Sequence, residues 1–376
     1  MSKINICCIF NYPPHYRNCI YQLMEDQLGC DFYFGENIKS SIKKLDYSRF
    51  KKNIRDLKTI YFFNFYWIKG SVNLLFKTYD IYICTGEPYC LSTWLLLVLN
   101  KLMSKRIYFW THGWYGRESR IKKYLKKIFF GLSSGIFLYG NYANKLMIQN
   151  GFDPKKLFVI YNSLSYDEQI VIRDIILACE NPYKSYFENE NKNLIFVGRL
   201  TKAKKIDFVI QALAILKERG RLLNMIFIGD GFVKDELKIL VSHLNISDQV
   251  WFYGASYDEM ELAKYLYWAD LCVSPGNVGL TAIHSMTYGT PVLTHNNFED
   301  QGPEFEAIIP GLSGDFFEYN DIHSLVTHID NWFKNTLSRE IIRKNCFDVV
   351  DAKYNPYYQI AVFKQIFSQL DYDNFR

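Results

Sequence analysis

The stretch Leu271–His295, LCVSPGNVGLTAIHSMTYGTPVLTH, decides the fold of this chain. Leu271-Cys272-Val273 is an apolar run of the kind that forms a buried strand. The loop Ser274-Pro275-Gly276-Asn277-Val278-Gly279 follows, then a helical run from Leu280 to Tyr288. Gly289 stops that helix, Pro291 lies just beyond, and Val292-Leu293 opens another strand. Strand, glycine-rich loop, short helix and strand make one βαβ unit. Gly276 and Gly279 permit close backbone approach to a ligand, and Leu280 and Thr281 begin the helix behind them. The free N–H groups of a helix start favour an anion, most simply a phosphate. Asn277 and Val278 share that loop and are expected to line the same site. An ordinary turn of any α/β protein also fits the pattern.

Bulk properties narrow the class. The 376 residues suffice for two domains, and 49% hydrophobic with 22% charged residues is a globular composition. A net charge of +5 implies no general nucleic-acid binding. Nine cysteines carry no CxxC pair or metal spacing, so they read as buried thiols rather than a disulfide framework. The opening MSKINICCIF lacks the long apolar region of a signal peptide. The run Trp94 to Leu99 is too short to span a bilayer. A cytoplasmic protein is expected, one still able to touch a membrane surface.

The first part of the chain alternates strands and helices. Ile4 to Phe10 reads as a strand, followed by the loop Asn11 to Asn18. Ligands of open α/β sheets meet loops after the carboxyl ends of strands, which makes His15, Tyr16 and Arg17 candidates for a polar substrate. A solvated loop is the plain alternative. Strands over Tyr79–Cys84 and Arg106–Trp110 end in Thr85-Gly86-Glu87-Pro88 and Thr111-His112-Gly113-Trp114, adding Glu87, His112 and Trp114. The ring of His112 is expected to face the crevice above the sheet; a satisfied core histidine is the alternative.

Two basic tracts stand out. Lys39 to Lys58 reads as a solvated face. Arg117 to Leu132 places Ile121, Tyr124, Leu125, Ile128 and Phe129 on one helical face, with Arg120, Lys122, Lys123, Lys126 and Lys127 around it. Such a helix either packs on its own sheet or lies against anionic headgroups.

Glu168 to Asn193 is polar and contains Pro182, so the domain connection is placed there. Residues 1–175 form one expected domain, 190–355 a second, and 356–376 a terminal helix. After the strand that ends at Val197, Gly198 turns the chain, Arg199 offers a fork of donors for phosphate oxygens, and Lys204 adds a movable charge. With the loop at 276–280 these make a plausible diphosphate clamp. A surface ion pair is the alternative for Arg199. Gly229-Asp230-Gly231 ends the next strand. Neither a Walker lysine motif nor GxGxxG opens either domain.

The second half resembles the group 1 glycosyltransferases, the retaining family four with the GT-B fold. Val197-Gly198-Arg199-Leu200 with Lys204 is similar to that family's GRLxxxK, and Gly229-Asp230-Gly231 to its GDG turn. Ala269 to Pro275 resembles ADLFVSPS, and Met286 to Val292 resembles EAMACGTPV. The segment Glu306 to Gly314 resembles EIVxxGxxG, and Thr111-His112-Gly113 the family's HG. One departure stands out. The family carries two glutamates eight positions apart where this chain has Gly276 and His284.

The resemblance implies two Rossmann-like domains facing a central cleft, with the last helix crossing back to the first. It implies a nucleotide-diphosphate sugar as donor, held by Gly198, Arg199, Lys204, 229–231, 276–281, His284 and Glu306. Arg199, Lys204 and His112 would do the chemistry, with retention. The acceptor would be a saccharide, lipid-diphosphate-linked, met by His15, Tyr16, Arg17, Glu87, His112 and Trp114. No cofactor and no metal are expected, no nucleic-acid partner, and an anionic membrane surface is a further expected contact. The setting implied is bacterial capsule, O-antigen or exopolysaccharide synthesis. A nucleotide-sugar 2-epimerase and a non-catalytic nucleotide-sugar sensor are the rival readings.

Overall fold

Buried apolar strands alternating with helices build two parallel sheets, each in its own unit of the chain. A computed structural model describes residues 4–36, 42–52, 54–103, 105–334 and 337–373. The first unit comprises Met1–Ser165 with Asn355–Arg376, the second Tyr166–Tyr354.

In the first unit the strands are β1 (Ile6–Phe10), β2 (Asp31–Gly35), β3 (Arg55–Leu57), β4 (Thr59–Phe62), β5 (Phe65–Ile68), β6 (Ile81–Thr85), β7 (Arg106–Thr111), β8 (Gly135–Leu138) and β9 (Leu157–Val159). The main sheet runs β3-β2-β1-β6-β7-β8-β9, all parallel, while β4 and β5 form a separate antiparallel hairpin. Helices α1 (Asn18–Leu28), α2 (Leu91–Asn100), α3 (Arg120–Gly131) and α4 (Asn141–Gln149) connect them. Side chains alternate across the pleat. Cys8 and Phe10 join one core face with Trp110 and Phe137, and Cys7 and Ile9 join the other with Phe109 and Leu138.

The C-terminal helix Pro356–Asp373 closes the first of these faces. Phe363 stacks its edge on Phe137 at 4.5 Å and on Trp110 at 5.5 Å. Gln359, fully buried, donates to the Tyr161 carbonyl at 2.9 Å and accepts from the Ser163 hydroxyl at 2.7 Å.

The second unit opens with α5 (Tyr166–Ile176) and the short α6 (Lys184–Phe187). Its strands are β10 (Lys192–Val197), β11 (Leu223–Ile228), β12 (Val250–Gly254), β13 (Leu271–Ser274), β14 (Val292–His295) and β15 (Gly314–Phe317). They pair in the order β12-β11-β10-β13-β14-β15, all parallel. Helices α7 (Ile206–Glu218), α8 (Lys234–His243), α9 (Glu259–Trp268), α10 (Thr281–Thr287), α11 (Ile322–Lys334) and α12 (Arg339–Lys353) complete it. In each sheet the strand order reverses beside the first strand, between β1 and β6 and between β10 and β13. These are the topological switch points at which open sheets bind ligands.

Three features differ from the sequence reading, while the basic tract is the solvated face expected. The boundary expected after residue 175 falls before α5. Arg173 of that helix forms a two-bonded pair with Asp351, at 2.9 and 3.0 Å, and Gln169 bonds Glu259, all within the second unit. The β4–β5 hairpin was not read, because its turn Phe63-Asn64 carries no glycine and its aromatic run hides any alternation. The basic tract is a solvated surface with partners: Lys44 pairs with Asp56, Lys51 with Asp26 and Lys52 with Asp31, at 2.5–2.6 Å. Lys39 lies outside the described residues. The helix after the glycine loop is shorter than expected, Thr281–Thr287. Among the described residues no helix is long and apolar enough to cross a membrane.

Phe363→Ala should remove a ring that is fully buried and lower the stability of the first unit by about 3–5 kcal/mol. The midpoint of urea denaturation measures it.

Candidate active site

The switch point of the second unit gathers the expected phosphate-binding residues. The chain leaving β10 stays beside the chain leaving β11, with Gly198 N–H on the Ile228 carbonyl at 3.0 Å and Leu200 N–H on the Asp230 carbonyl at 2.9 Å. Contact is so close that a Cβ on Gly229 would fall 1.8 Å from the Gly198 carbonyl oxygen. Gly231 follows in the same turn, its N–H donating to the Asp230 carboxylate at 2.7 Å. That bond, with Lys234, holds the Asp230 carboxyl below its ordinary range.

On the other side of the switch point, Gly276 is buried against the turn that holds Lys204. A Cβ there would lie 2.3 Å from the Ala203 carbonyl oxygen and 2.7 Å from the Lys204 Cα. The Lys204 ammonium donates to the Asn277 carbonyl. The side-chain amide of Asn277 donates to the Asp300 carbonyl at 2.7 Å. The Thr281 hydroxyl donates to the Val197 carbonyl at 3.2 Å, tying the first residue of α10 to the end of β10. Two loops far apart in sequence are thereby locked into one surface. Arg199 projects from it, exposed, and among the described residues it has no hydrogen bond or ion pair. Burial lowers the pKa of Lys204, and the Arg199 charge lowers it further, while Glu304 works in the opposite direction.

Some expected donor residues serve the loop instead. The Val278 side chain is buried and its N–H donates to the Gln301 side chain at 2.9 Å, so that N–H is not free for an anion. Gly279 sits in the left-handed region at φ 53, directly before Leu280 and α10. With only two turns, α10 has a short dipole, which leaves most of the positive charge to Arg199 and Lys204. Glu306 lies on the turn Pro303–Ala307, and Glu304 of the same turn is buried.

His284 brings a residue that the sequence reading did not name. Its Nε2 meets the Glu259 carboxylate at 2.9 Å, and the same oxygen accepts from the Tyr288 hydroxyl at 2.7 Å and the Gln169 amide at 2.9 Å. Burial alone would raise the Glu259 carboxyl. The charge and hydrogen bond of His284, with the two neutral donors, override burial and hold its pKa at about 2. Glu259 opens α9, and no spacing in the sequence links it to His284.

In the first unit a recess of about 230 Å³ lies at the switch point between β1 and β6. Tyr16, Arg17, Glu87 and His112 line it, with Trp110 and Tyr139. The Arg17 guanidinium lies 4.8 Å over the Trp110 ring and donates to the Tyr139 hydroxyl. Its Nε is buried without a partner among the described residues. Glu87 accepts from Asn11 at 3.0 Å and from Tyr66 at 2.7 Å. His112 is open to solvent on one side and packed on the other, its ring 4.7 Å from Tyr139. Crowding by the protein, with the charges of Arg17 and Lys126, pushes its pKa down to about 4, so the ring is neutral near pH 7.

Two expected acceptor residues lie elsewhere. His15 is exposed and its ring meets the Lys43 carbonyl at 3.2 Å, outside the recess. Trp114 is a core side chain, packed on Phe152 at 5.7 Å, because the Gly113 turn sends it under α3 rather than over the sheet.

The profile of the glycosyl transferases group 1 family matches residues 180–348. The match covers less than half of the chain and lies within the second unit, whose sequence is similar to that family. An uncharacterized 41.2 kDa protein in the cps region of Klebsiella pneumoniae is 26% identical over 57% of this chain and 56% of its own. A Campylobacter jejuni protein, N-acetylgalactosamine-N,N'-diacetylbacillosaminyl-diphospho-undecaprenol 4-alpha-N-acetylgalactosaminyltransferase, is 26% identical over 42% of this chain and 39% of its own. The chain spans about half the length of the first curated relatives it matches. Anabaena Alr3699/HepE, solved in complex with UDP, superposes with a TM-score of 0.70 at 15% identity, over 98% of this chain and 100% of that one. The fold is of the GT-B class.

Placing a carboxylate at 276 with Gly276→Glu should disrupt the loop contact and cost about 1–3 kcal/mol. A thermal melt reads it; an unchanged melting temperature would contradict the packing described. Glu259 makes a second, signed prediction. Its folded pKa of about 2 lies below an unfolded value of about 4.3. Its contribution is complete above the unfolded value and is lost as pH falls toward the folded one. Glu259→Gln should therefore flatten the loss of stability across that acid window, followed by urea midpoints at stepped pH.

Proposed function

We propose that this protein transfers a sugar from a nucleoside diphosphate sugar to a saccharide acceptor, with retention at the anomeric carbon. The observation that carries the reading is the unpaired Arg199 beside Lys204 at the switch point of the second unit. As the anomeric C–O bond breaks, negative charge grows on the β-phosphate. Fixed cations stabilise that charge without reorganising, which lowers the barrier. The acceptor oxygen forms the new bond on the same face, and its proton passes to the departing phosphate oxygen. No protein base is assigned, and the two cations supply the charge for which a metal would otherwise serve.

His284 presents Nδ1 to the ribose, since Glu259 occupies Nε2. The recess with Tyr16, Arg17, Glu87 and His112 receives the acceptor. Neutral His112 orients the sugar by hydrogen bonding, and Arg17 is placed to meet an acceptor phosphate. A lipid-diphosphate-linked acceptor in bacterial surface polysaccharide synthesis agrees with the names of the Klebsiella and Campylobacter relatives. Such an acceptor is met at the cytoplasmic face of a membrane. UDP in the Anabaena structure supports a uridine diphosphate donor.

Gly276 in place of a carboxylate favours a second reading, a nucleotide-sugar-binding subunit without turnover. Transfer and donor-hydrolysis assays separate the two. Arg199→Ala should reduce turnover by about 100-fold or more while leaving the fold intact. Undiminished turnover would end the clamp; absence of turnover in the unaltered protein, with thermal stabilisation by nucleoside diphosphate, would favour the subunit.

A further inference from the structure

One side of the first unit exposes apolar side chains that its own core does not use. Helix α2 buries Leu96 and Leu97, yet Leu91, Leu95 and Val98, spaced i, i+4, i+7, form an exposed stripe. In α3 only Phe129 and Phe130 dock onto the sheet. The apolar face expected to pack there is left open: Ile121 is 74% and Tyr124 67% exposed, with Leu125 and Ile128 beside them. The β4–β5 hairpin ends in Phe62, Phe63 and Phe65, all exposed.

These elements are contiguous. The Phe65 ring lies 6.1 Å from Tyr89, just before α2, and the Tyr66 N–H donates to the Tyr89 carbonyl at 3.0 Å. Trp94 of α2 meets Phe129 of α3 at 4.9 Å. The hairpin thus touches α2, and α2 touches α3.

Phe63 is the telling residue. It occupies the left-handed region at φ 53, where a bulky side chain is strained. Its ring is 102% exposed, so no packing within the chain offsets that cost. Apolar surface of this kind marks a contact with something else.

Charge selects the partner. Helix α3 carries Arg120, Lys122, Lys123, Lys126 and Lys127 and no acid. Only Lys126 is paired among the described residues, with Glu118 at 2.7 Å. A second copy would bring these cations against themselves in a two-fold contact. An anionic lipid surface matches both the charge and the apolar stripe.

We propose that this face docks on an anionic bilayer, with α3 lying among the headgroups and the Phe62-Phe63 hairpin tip inserted at the acyl boundary. The inference deepens the reading of a lipid-linked acceptor but stands on the first unit alone. Tyr66 of the same hairpin bonds Glu87, a wall of the acceptor recess. Docking the hairpin brings that recess to the lipid surface.

Co-sedimentation of the full chain, without donor or acceptor, tests this. The probe is phosphatidylcholine vesicles with and without phosphatidylglycerol, at low salt. Binding is expected only with phosphatidylglycerol and should weaken as salt rises. Phe63→Ser, and separately Lys122→Glu with Lys127→Glu, should each weaken binding about tenfold or more. Both are surface changes, and unchanged melting temperatures confirm folding. Arg199→Ala should bind vesicles like the unaltered protein, which separates this proposal from the transfer chemistry. No binding to anionic vesicles overturns the proposal. So does a dimer in sedimentation velocity that Phe63→Ser dissociates, which assigns the face to a second copy. Vesicle binding unaffected by Phe63→Ser overturns the insertion of the hairpin.

Discussion

The seating of Gly276 on the Ala203–Lys204 backbone is the contact on which the second unit's site depends. Backbone meets backbone at a distance that admits no side chain. The Lys204 ammonium then reaches the Asn277 carbonyl across the same junction. A flexible lysine becomes a positioned charge because the loop it bonds cannot move away. Arg199 stands beside it on a strand end held by the neighbouring strand's loop. Backbone packing positions Lys204 and the strand end that carries Arg199, whose guanidinium is exposed to a ligand.

The same contact leaves no room for a side chain at 276. A carboxylate side chain and this loop packing exclude each other. Eight positions on, His284 is bonded by Glu259 from the start of α9, which sets a carboxylate behind the imidazole. Gln169 of α5 and Tyr288 complete the cluster, which fastens α5 to the second unit and not the first.

Both units share one plan. Each sheet reverses its strand order next to its first strand, and each gathers its polar residues in that crevice. In the first unit the crevice is aromatic, with Trp110 and Tyr139 around Arg17, which suits a sugar ring and a charged group together. In the second it is cationic and glycine-rich, which suits phosphate.

Sequence by itself determined what local chemistry dictates. Apolar runs located most of the parallel strands, though not β3 or β15, and Gly198, Arg199, Lys204 and Gly276 could be placed after strand ends because such positions are set by neighbours in the chain. Tertiary structure decided what depends on distant partners. The bond from His284 to Glu259 joins two helices whose separation carries no periodic signal. Trp114 and His112 are two residues apart and look alike as aromatic loop residues, yet one turn buries the first and opens the second. The stripe on α3 has the same spacing whether it packs or stays bare, and only the docking of Phe129 and Phe130 settled which. Periodicity records which face of a helix is apolar; what covers that face is a property of the whole fold.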